Sequence, residues 1–119
     1  LVLIAEDEDS VREVTVSTLE KYGYSVLAVI DGAQAVAEYA QNKDKVEVVL
    51  VDMMMPIMDG HASIRAIRKI NPGVKIIAIS GLAEKEKLKN VADTTNAFLP
   101  KPYTAETLLK TINEVLSAK

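Results

Sequence analysis

Five short runs of apolar residues recur along the chain, and the longer segments between them carry apolar residues at helical spacing. The runs cover residues 1–5, 25–30, 46–51, 74–80 and 97–99. Most of them are continuous rather than alternating and are rich in Val and Ile, which is typical of strands covered on both faces of a parallel sheet. The pattern therefore predicts five buried parallel strands.

The segments that follow the strands each carry one apolar stripe, as expected for helices packed against a sheet. Residues suited to cap or stop a helix stand at their ends: Asp9 and Ser10 before the first helix, Gly23 after it, Asp31 before the second and Thr104 before the last. Segment 83–92 is highly charged and only weakly amphipathic, so its helix has the weakest pattern. Strand and helix alternate five times, which predicts one parallel sheet sandwiched between helices.

Composition limits the functions open to this chain of 119 residues. Apolar residues make up 49%, enough for one core, and the absence of Cys excludes disulfides, thiolate zinc sites and thiol nucleophiles. A net charge of −3 argues against nucleic acid as a direct partner, and no apolar stretch approaches the ~20 residues of a membrane helix. No signal peptide is visible and the chain opens with Leu1 inside a strand-like run, so we expect a single domain, 1–119, excised from a longer protein.

Polar residues stand where the predicted strands end. Glu6 and Asp7 follow the first strand, Asp52 and Ser80 end the third and fourth strands, and Lys101 follows the fifth. Because the strands of a parallel sheet end at one edge, these residues should meet in the crevice where open α/β sheets place their sites. For a sheet ordered 2-1-3-4-5 that crevice lies between strands one and three. Each residue alone could be a solvated loop residue or a cap, but five mutually suited groups are harder to explain by accident.

Three carboxylates at such close range repel one another, so positive charge must lie among them. Lys101 supplies one charge, and oxygen ligands without His or Cys favour Mg²⁺, Mn²⁺ or Ca²⁺ over zinc or copper. A carboxylate nucleophile, a metal and a cation are the parts that phosphoryl transfer needs. The residues therefore predict Asp52 as a nucleophile, with Ser80 and Lys101 contacting the transferred group.

Four sequence motifs, modest singly but specific in this order and spacing, cover essentially the whole chain. They are LVLIAEDED, VVLVDMMMPIMDG, IIAISG and FLPKPY. In these motifs the chain resembles the receiver domain of bacterial two-component response regulators. The resemblance implies a flavodoxin-like, doubly wound (βα)5 sandwich whose strand order is 2-1-3-4-5.

The resemblance also implies the metal site and the phosphoacceptor. The acidic pair Glu6 and Asp7 would bind Mg²⁺ together with Asp52, and Mn²⁺ would be an acceptable substitute. The backbone carbonyl of Met54 would be a further ligand. Asp52 would accept the phosphoryl group. Glu6 stands where Asp is commoner in the family, and its longer side chain could reach the metal through water.

Further roles follow from the resemblance on the last two strands. Ser80, where Thr is common, would donate its hydroxyl to the phosphoryl group, and Lys101 would contact the same group. The peptide bond between Lys101 and Pro102 should be cis. Phe98 matches the aromatic switch residue, which moves inward when the hydroxyl of Ser80 is drawn toward the phosphate.

Two positions are expected to set the lifetime of the phosphorylated state. Met54 and Leu82 lie two residues beyond Asp52 and Ser80, where family members influence hydrolysis by orienting water. Both side chains are apolar and cannot position water, so slow self-hydrolysis is expected.

The function implied is that of a phosphoacceptor in a two-component phosphorelay, not of an enzyme, although the domain assists its own phosphorylation and dephosphorylation. The phosphoryl donor would be a phosphohistidine of a histidine kinase or histidine phosphotransfer domain, and a receiver homodimer is a further candidate assembly. Phosphorylation would change the face formed by the fourth helix, the fifth strand and the fifth helix. The ending KPYTAETLL resembles receivers of hybrid sensor histidine kinases. The domain is then expected in the cytoplasm without membrane contact, although the parent chain could be membrane-anchored.

Three other interpretations remain open from the sequence. A phosphatase of the haloacid dehalogenase class shares the Asp nucleophile, Lys and Mg²⁺, but it needs a second acid where this chain has Met54. A flavodoxin-like electron carrier needs a first loop that cradles phosphate, which the acidic run at 6–9 would repel. A degenerate receiver that serves only as a docking module would not need the complete set of site residues.

Overall fold

The computed structural model of the chain describes residues 1–55, 58–80 and 95–117. Its elements are, in order, β1 (Val2–Ala5), α1 (Asp9–Lys21), β2 (Val26–Val29), α2 (Gly32–Asn42), β3 (Val48–Asp52), α3 (Gly60–Ile70), β4 (Ile76–Ser80), β5 (Ala97–Pro100) and α4 (Ala105–Ser117). The strands form one parallel sheet ordered β2-β1-β3-β4-β5. The predicted flavodoxin-like sheet and its strand order are confirmed. The helix predicted at 83–92 lies outside the described residues.

The continuous apolar runs correspond best to the three central strands. Every residue of β1, β3 and β4 is buried, because helices cover both faces of the sheet. The edge strands β2 and β5 are only partly buried. The ends of the strands differ from the predicted apolar runs by at most two residues. The apolar pattern therefore predicted correctly where the strands end, and with that the positions of the polar residues at those ends.

Successive strand residues point to opposite faces and feed two apolar cores. One core packs the sheet against α2 and α3 and includes Tyr39 and Ile64. The other packs it against α1 and α4 and includes Leu19 and Ile112, all four side chains being fully buried. Full burial of a side chain of this kind stabilises the fold by roughly 1.5–3 kcal/mol. The strands are therefore held firmly from both sides, and so are the residues at their carboxyl ends.

The helices of the described residues are 11 to 13 residues long, and none of them is long and apolar enough to cross a membrane. Three of the predicted helix ends are confirmed. Asp31 accepts a hydrogen bond from the backbone N–H of Gln34 at 2.8 Å, and Thr104 accepts one from the N–H of Thr107 at 3.1 Å. Gly23 follows α1 with a φ of +91°, a conformation that Gly adopts without strain.

The predicted cap of α1 is wrong. Asp9 and Ser10 lie inside the helix, and the N-cap is Glu8, whose side chain makes no capping hydrogen bond. The backbone N–H of Glu8 donates instead to Glu6 Oε2 at 3.2 Å. The start of α1 is therefore tied to the buried acid that follows β1 rather than to a local capping side chain.

Candidate functional site

The carboxyl edge of the sheet brings the predicted acids together. Asp52 ends β3 and is 3% exposed, and Glu6, directly after β1, is fully buried. Asp7 is exposed, so the group opens to solvent on its side. One carboxylate oxygen from each of the three residues lies within 4.8 Å of the others. These acids form one cluster, and the cluster can be reached from outside.

Lys101 places its ammonium group between two of these carboxylates. Its Nζ donates a hydrogen bond to Asp52 Oδ2 at 2.9 Å and lies 2.7 Å from Glu6 Oε1. Glu8 Oε2 is a third, more distant carboxylate at 3.8 Å. Lys101 thus contacts the proposed nucleophile itself, which the positions of the strand ends had predicted.

The segment that carries Lys101 is fixed on two sides. The backbone N–H of Lys101 donates to the carbonyl of Ser80, the last residue of β4, at 2.7 Å. Farther along, the hydroxyl of Tyr103 lies 2.6 Å from Thr15 Oγ1 on α1. The peptide bond between Lys101 and Pro102 is cis, the isomer that the family resemblance implied.

The charges of the cluster shift the protonation of its members. Burial, and after it the neighbouring Asp52, raises the pKa of Glu6 to about 8, although Lys101 acts in the opposite direction. Burial lowers the pKa of Lys101, but the carboxylates of Glu6 and Asp52 outweigh it and hold that pKa above its ordinary value. One ammonium group therefore does not fully neutralise the carboxylates around it.

The position of Glu6 Oε1 is a second sign of incomplete neutralisation. This buried oxygen lies 2.7 Å from the ammonium group of Lys101, which it shares with Asp52. Buried polar atoms in proteins are generally satisfied by protein, water or an ion. Oxygen donors alone, close together and short of positive charge, fit a hard divalent cation such as Mg²⁺.

The loop after β3 turns back over the nucleophile. The backbone N–H of Met54 donates to Asp52 Oδ1 at 3.0 Å, while the side chain of Met54 is 63% exposed. The loop passes so close to α2 that a Cβ on Gly32 would lie 2.0 Å from the carbonyl oxygen of Met58. Only glycine fits at such a distance. Both oxygens of Asp52 are therefore held, one by the loop and the other by Lys101.

The predicted switch residues lie on β4 and β5. Ser80 is 3% exposed at the end of β4. Phe98 pairs in register with Ala78, two residues before Ser80, and its side chain is 38% exposed. Leu82, the second of the two lifetime positions, lies outside the described residues. The inward movement of Phe98 and the slow hydrolysis stay predictions.

Sequence reasoning missed Arg12. Its guanidinium donates to the carbonyl oxygen of Glu6 at 2.9 Å and pairs with Asp9. The spacing of three residues between Asp9 and Arg12 suggests that pair on a helix. The contact with Glu6 depends on the path of the loop after β1, which the sequence pattern does not specify.

The response regulator receiver domain family matches residues 2–113 of the chain. The sensor kinase CckA of Brucella abortus is 39% identical over 116 residues, which are 97% of this chain, and the chain spans only 12% of that protein. The chemotaxis protein CheY of Bacillus subtilis is 30% identical over 118 residues, which are 98% of this chain and 97% of that protein.

Solved structures of receiver domains share this fold. The receiver domain of the sensor histidine kinase PA1611 from Pseudomonas aeruginosa, solved with a magnesium ion coordinated in its active site cleft, has a TM-score of 0.89 at 28% identity, covering 98% of this chain and 97% of that one. A response regulator receiver domain protein from Clostridium thermocellum has a TM-score of 0.90 at 27% identity, covering 97% and 92%. From the match over residues 2–113, the chain belongs to the response regulator receiver domain family of two-component systems.

Proposed function

We propose that Asp52 accepts a phosphoryl group from a phosphohistidine, carried by a histidine kinase or a histidine phosphotransfer domain. The observation that carries the proposal is the pairing of a buried strand-end carboxylate with Lys101 at 2.9 Å, next to two further carboxylates. A structural ion pair needs one acid, whereas this site keeps three acids together with one ammonium group beside two of them.

The transfer is a displacement at phosphorus. An oxygen of Asp52 forms the new O–P bond while the P–N bond to the imidazole breaks, and the imidazole nitrogen keeps the electron pair and takes up a proton. Lys101, already in contact with Asp52, then pairs with the phosphoryl oxygens, and Ser80 donates its hydroxyl to them. The product is an acyl phosphate on Asp52, so this domain receives the group rather than turning over a substrate.

The residues of the cluster fit Mg²⁺, with Mn²⁺ as a substitute. Glu6, Asp7 and Asp52 would hold the ion with carboxylate oxygens, and Met54 would contribute its backbone carbonyl. When bound, the ion would supply positive charge that offsets the negative charge of the carboxylates and of the incoming phosphoryl group. The cluster holds three carboxyl groups and a single ammonium group beside two of them, and this shortage of positive charge supports the assignment.

Phosphorylation would then change the surface of the domain. The new group adds roughly −1.5 to −2 units of charge, which draws Ser80 and Lys101 toward Asp52. Phe98, 38% exposed, would pack into the space behind Ser80. Moving a two-state equilibrium from 1:99 to 99:1 takes about 5.5 kcal/mol, and charge-assisted hydrogen bonds of roughly 1.5–3 kcal/mol each supply much of it. The altered face comprises segment 83–92, outside the described residues, with β5 and α4.

The parent protein is proposed to be a hybrid sensor histidine kinase acting in the cytoplasm. The support is the 39% identity to the sensor kinase CckA, compared with 30% to the chemotaxis protein CheY. Sequencing the gene on either side of this segment tests the proposal: a histidine kinase core upstream is expected, and a DNA-binding domain downstream would contradict it.

The chemistry is tested by incubating the chain with acetyl phosphate and Mg²⁺ and following an acid-stable, base-labile adduct. Labelling is expected in the unmodified chain and in Asp44→Asn, a matched control in an exposed turn, but not in Asp52→Asn or with chelator. No labelling of the unmodified chain would favour the degenerate docking module. Steady release of phosphate from many small esters would favour the haloacid dehalogenase interpretation, for which the exposed Met54 supplies no second acid.

A further inference from the structure

One hydrogen bond joins α1 to the segment that carries Lys101. The hydroxyl of Tyr103 lies 2.6 Å from Thr15 Oγ1. Thr15 is 1% exposed, and its own hydroxyl donates to the carbonyl of Val11 at 2.8 Å. Because a threonine hydroxyl has a single proton, Tyr103 must be the donor in its bond to Thr15. The phenol is therefore anchored to a buried point in the middle of a helix.

The short segment after β5 couples the position of Tyr103 to that of Lys101. Only residues 101–104 connect β5 to α4. At one end, the backbone N–H of Lys101 is bonded to the carbonyl of Ser80 at 2.7 Å. Tyr103 is only two residues farther along, and the residue between them is Pro102, whose ring fixes its φ. Because the backbone between Tyr103 and Lys101 has little conformational freedom, a displacement of Tyr103 should also displace Lys101.

Tyr103 packs against the core that lies between the sheet, α1 and α4, and the segment also borders an open groove on its α1 side. This groove of about 540 Å³ has Val11 and Val14 on the helix side and Pro102 and Tyr103 on the other. Val14 is 66% exposed. The hydrogen bond between Tyr103 and Thr15 is a direct polar connection between the segment and α1 beside this groove.

Building on the proposed transfer to Asp52, we propose that Tyr103 and Thr15 are positioning residues for phosphoryl recognition. Their hydrogen bond holds the segment after β5 so that Lys101 Nζ stays 2.9 Å from Asp52 Oδ2, where the phosphoryl group arrives. The proposed metal ligands belong to the ends of β1 and β3, which this bond does not touch. Loss of the bond should therefore weaken phosphoryl binding, and it should not weaken metal binding, because Lys101 competes with the metal for Glu6 and Asp52.

The competing explanation is that a buried phenol has simply found a hydrogen-bond partner, as buried tyrosines usually do. That explanation predicts lower stability without any selective effect on the site. The two explanations separate if metal binding and phosphoryl binding are measured independently in the same variants.

The experiment uses calorimetry on the whole chain, first with Mg²⁺ alone and then with beryllofluoride, a phosphoryl mimic, at saturating Mg²⁺. In Tyr103→Phe and Thr15→Val, beryllofluoride should bind roughly three- to tenfold more weakly, the range for one lost hydrogen bond, with no loss of Mg²⁺ affinity. Thr15→Ser keeps the hydroxyl and should bind like the unmodified chain. Tyr24→Phe, which removes a phenol oxygen before β2, is the matched control.

A further check is the double variant of Tyr103→Phe and Thr15→Val, which should bind no more weakly than the weaker single variant because both remove the same bond. Equal beryllofluoride affinity in Tyr103→Phe and the unmodified chain would overturn the positioning role. A parallel loss of Mg²⁺ and beryllofluoride affinity would overturn it in favour of the purely structural explanation. Failure of the unmodified chain to bind beryllofluoride would instead contradict the proposed function itself.

Discussion

Replacing Glu6 by Gln should stabilise the metal-free domain at neutral pH, although Glu6 is a proposed metal ligand. Glu6 is fully buried, and burial beside Asp52 raises its pKa from the ordinary 4.5 to about 8. An acid whose pKa is raised by folding binds its proton more tightly in the folded state. The contribution of Glu6 to the free energy of unfolding is therefore most favourable below pH 4.5, and it is lost progressively as the pH rises toward 8. Gln keeps the shape and removes the charge.

The size of the effect follows from the shift. Each pKa unit corresponds to about 1.36 kcal/mol, so a group moved from 4.5 to about 8 lowers the free energy of unfolding by roughly 2–3 kcal/mol between pH 5 and pH 7. A bound Mg²⁺ would displace the proton from Glu6 and reverse the loss. The stabilisation that Mg²⁺ gives should accordingly grow as the pH rises over this interval.

Urea unfolding of the unmodified chain and of Glu6→Gln, in chelator from pH 5 to pH 8, measures this difference directly. The free energy of unfolding of Glu6→Gln should exceed that of the unmodified chain by an amount that grows with pH. Glu13→Gln, a change at an exposed position on α1, should have the same free energy of unfolding as the unmodified chain at each pH. A difference that stays constant across the range would refute the assignment of a raised pKa to Glu6. A difference that grows equally in saturating Mg²⁺ would refute its role as a metal ligand.

Other predictions address the loop, the lifetime and the cation of the site. Gly32→Ala should lower the free energy of unfolding by about 1–3 kcal/mol, because its Cβ would lie 2.0 Å from the carbonyl oxygen of Met58; Gly73→Ala, with its nearest atom 3.5 Å away, is the control, and equal urea midpoints would contradict the clash. The phosphorylated domain should keep its phosphoryl group for minutes, and Met54→Asn should shorten that lifetime in a hydrolysis time course. A half-life of seconds in the unmodified chain would contradict the lifetime hypothesis. Lys101→Met should bind Mg²⁺ more tightly in calorimetry, since a competing cation is gone, yet respond more weakly to beryllofluoride; weaker Mg²⁺ binding would count against this electrostatic account.

The sheet could be predicted from sequence because its signal is local and strong. Strands covered on both faces need unbroken apolar runs, and β3 and β4 are buried at every residue. Once five parallel strands were placed, topology alone brought Glu6, Asp52 and Lys101 to one edge. The main parts of the site thus followed from where strands end rather than from detailed geometry.

Other contacts could not be predicted, since they depend on the exact path of loops. The hydrogen bond between Tyr103 and Thr15 joins residues 88 apart in sequence. Predicting it would require knowing which turn of α1 faces the segment after β5. The cap of α1 was mispredicted for a related reason. The N-cap is Glu8, whose backbone N–H donates to the carboxylate of Glu6, so the helix begins one residue earlier than the capping preference of Asp9 predicted.

Asp52 is the proposed site of phosphorylation. The most direct test of this assignment is borohydride reduction of the chain after incubation with acetyl phosphate and Mg²⁺, followed by peptide mass spectrometry, since reduction of an aspartyl phosphate leaves homoserine at the modified position. Homoserine is expected at position 52, and it should be absent when Mg²⁺ is chelated. Homoserine at Asp7 or Asp59 instead, or at no position at all, would contradict the assignment.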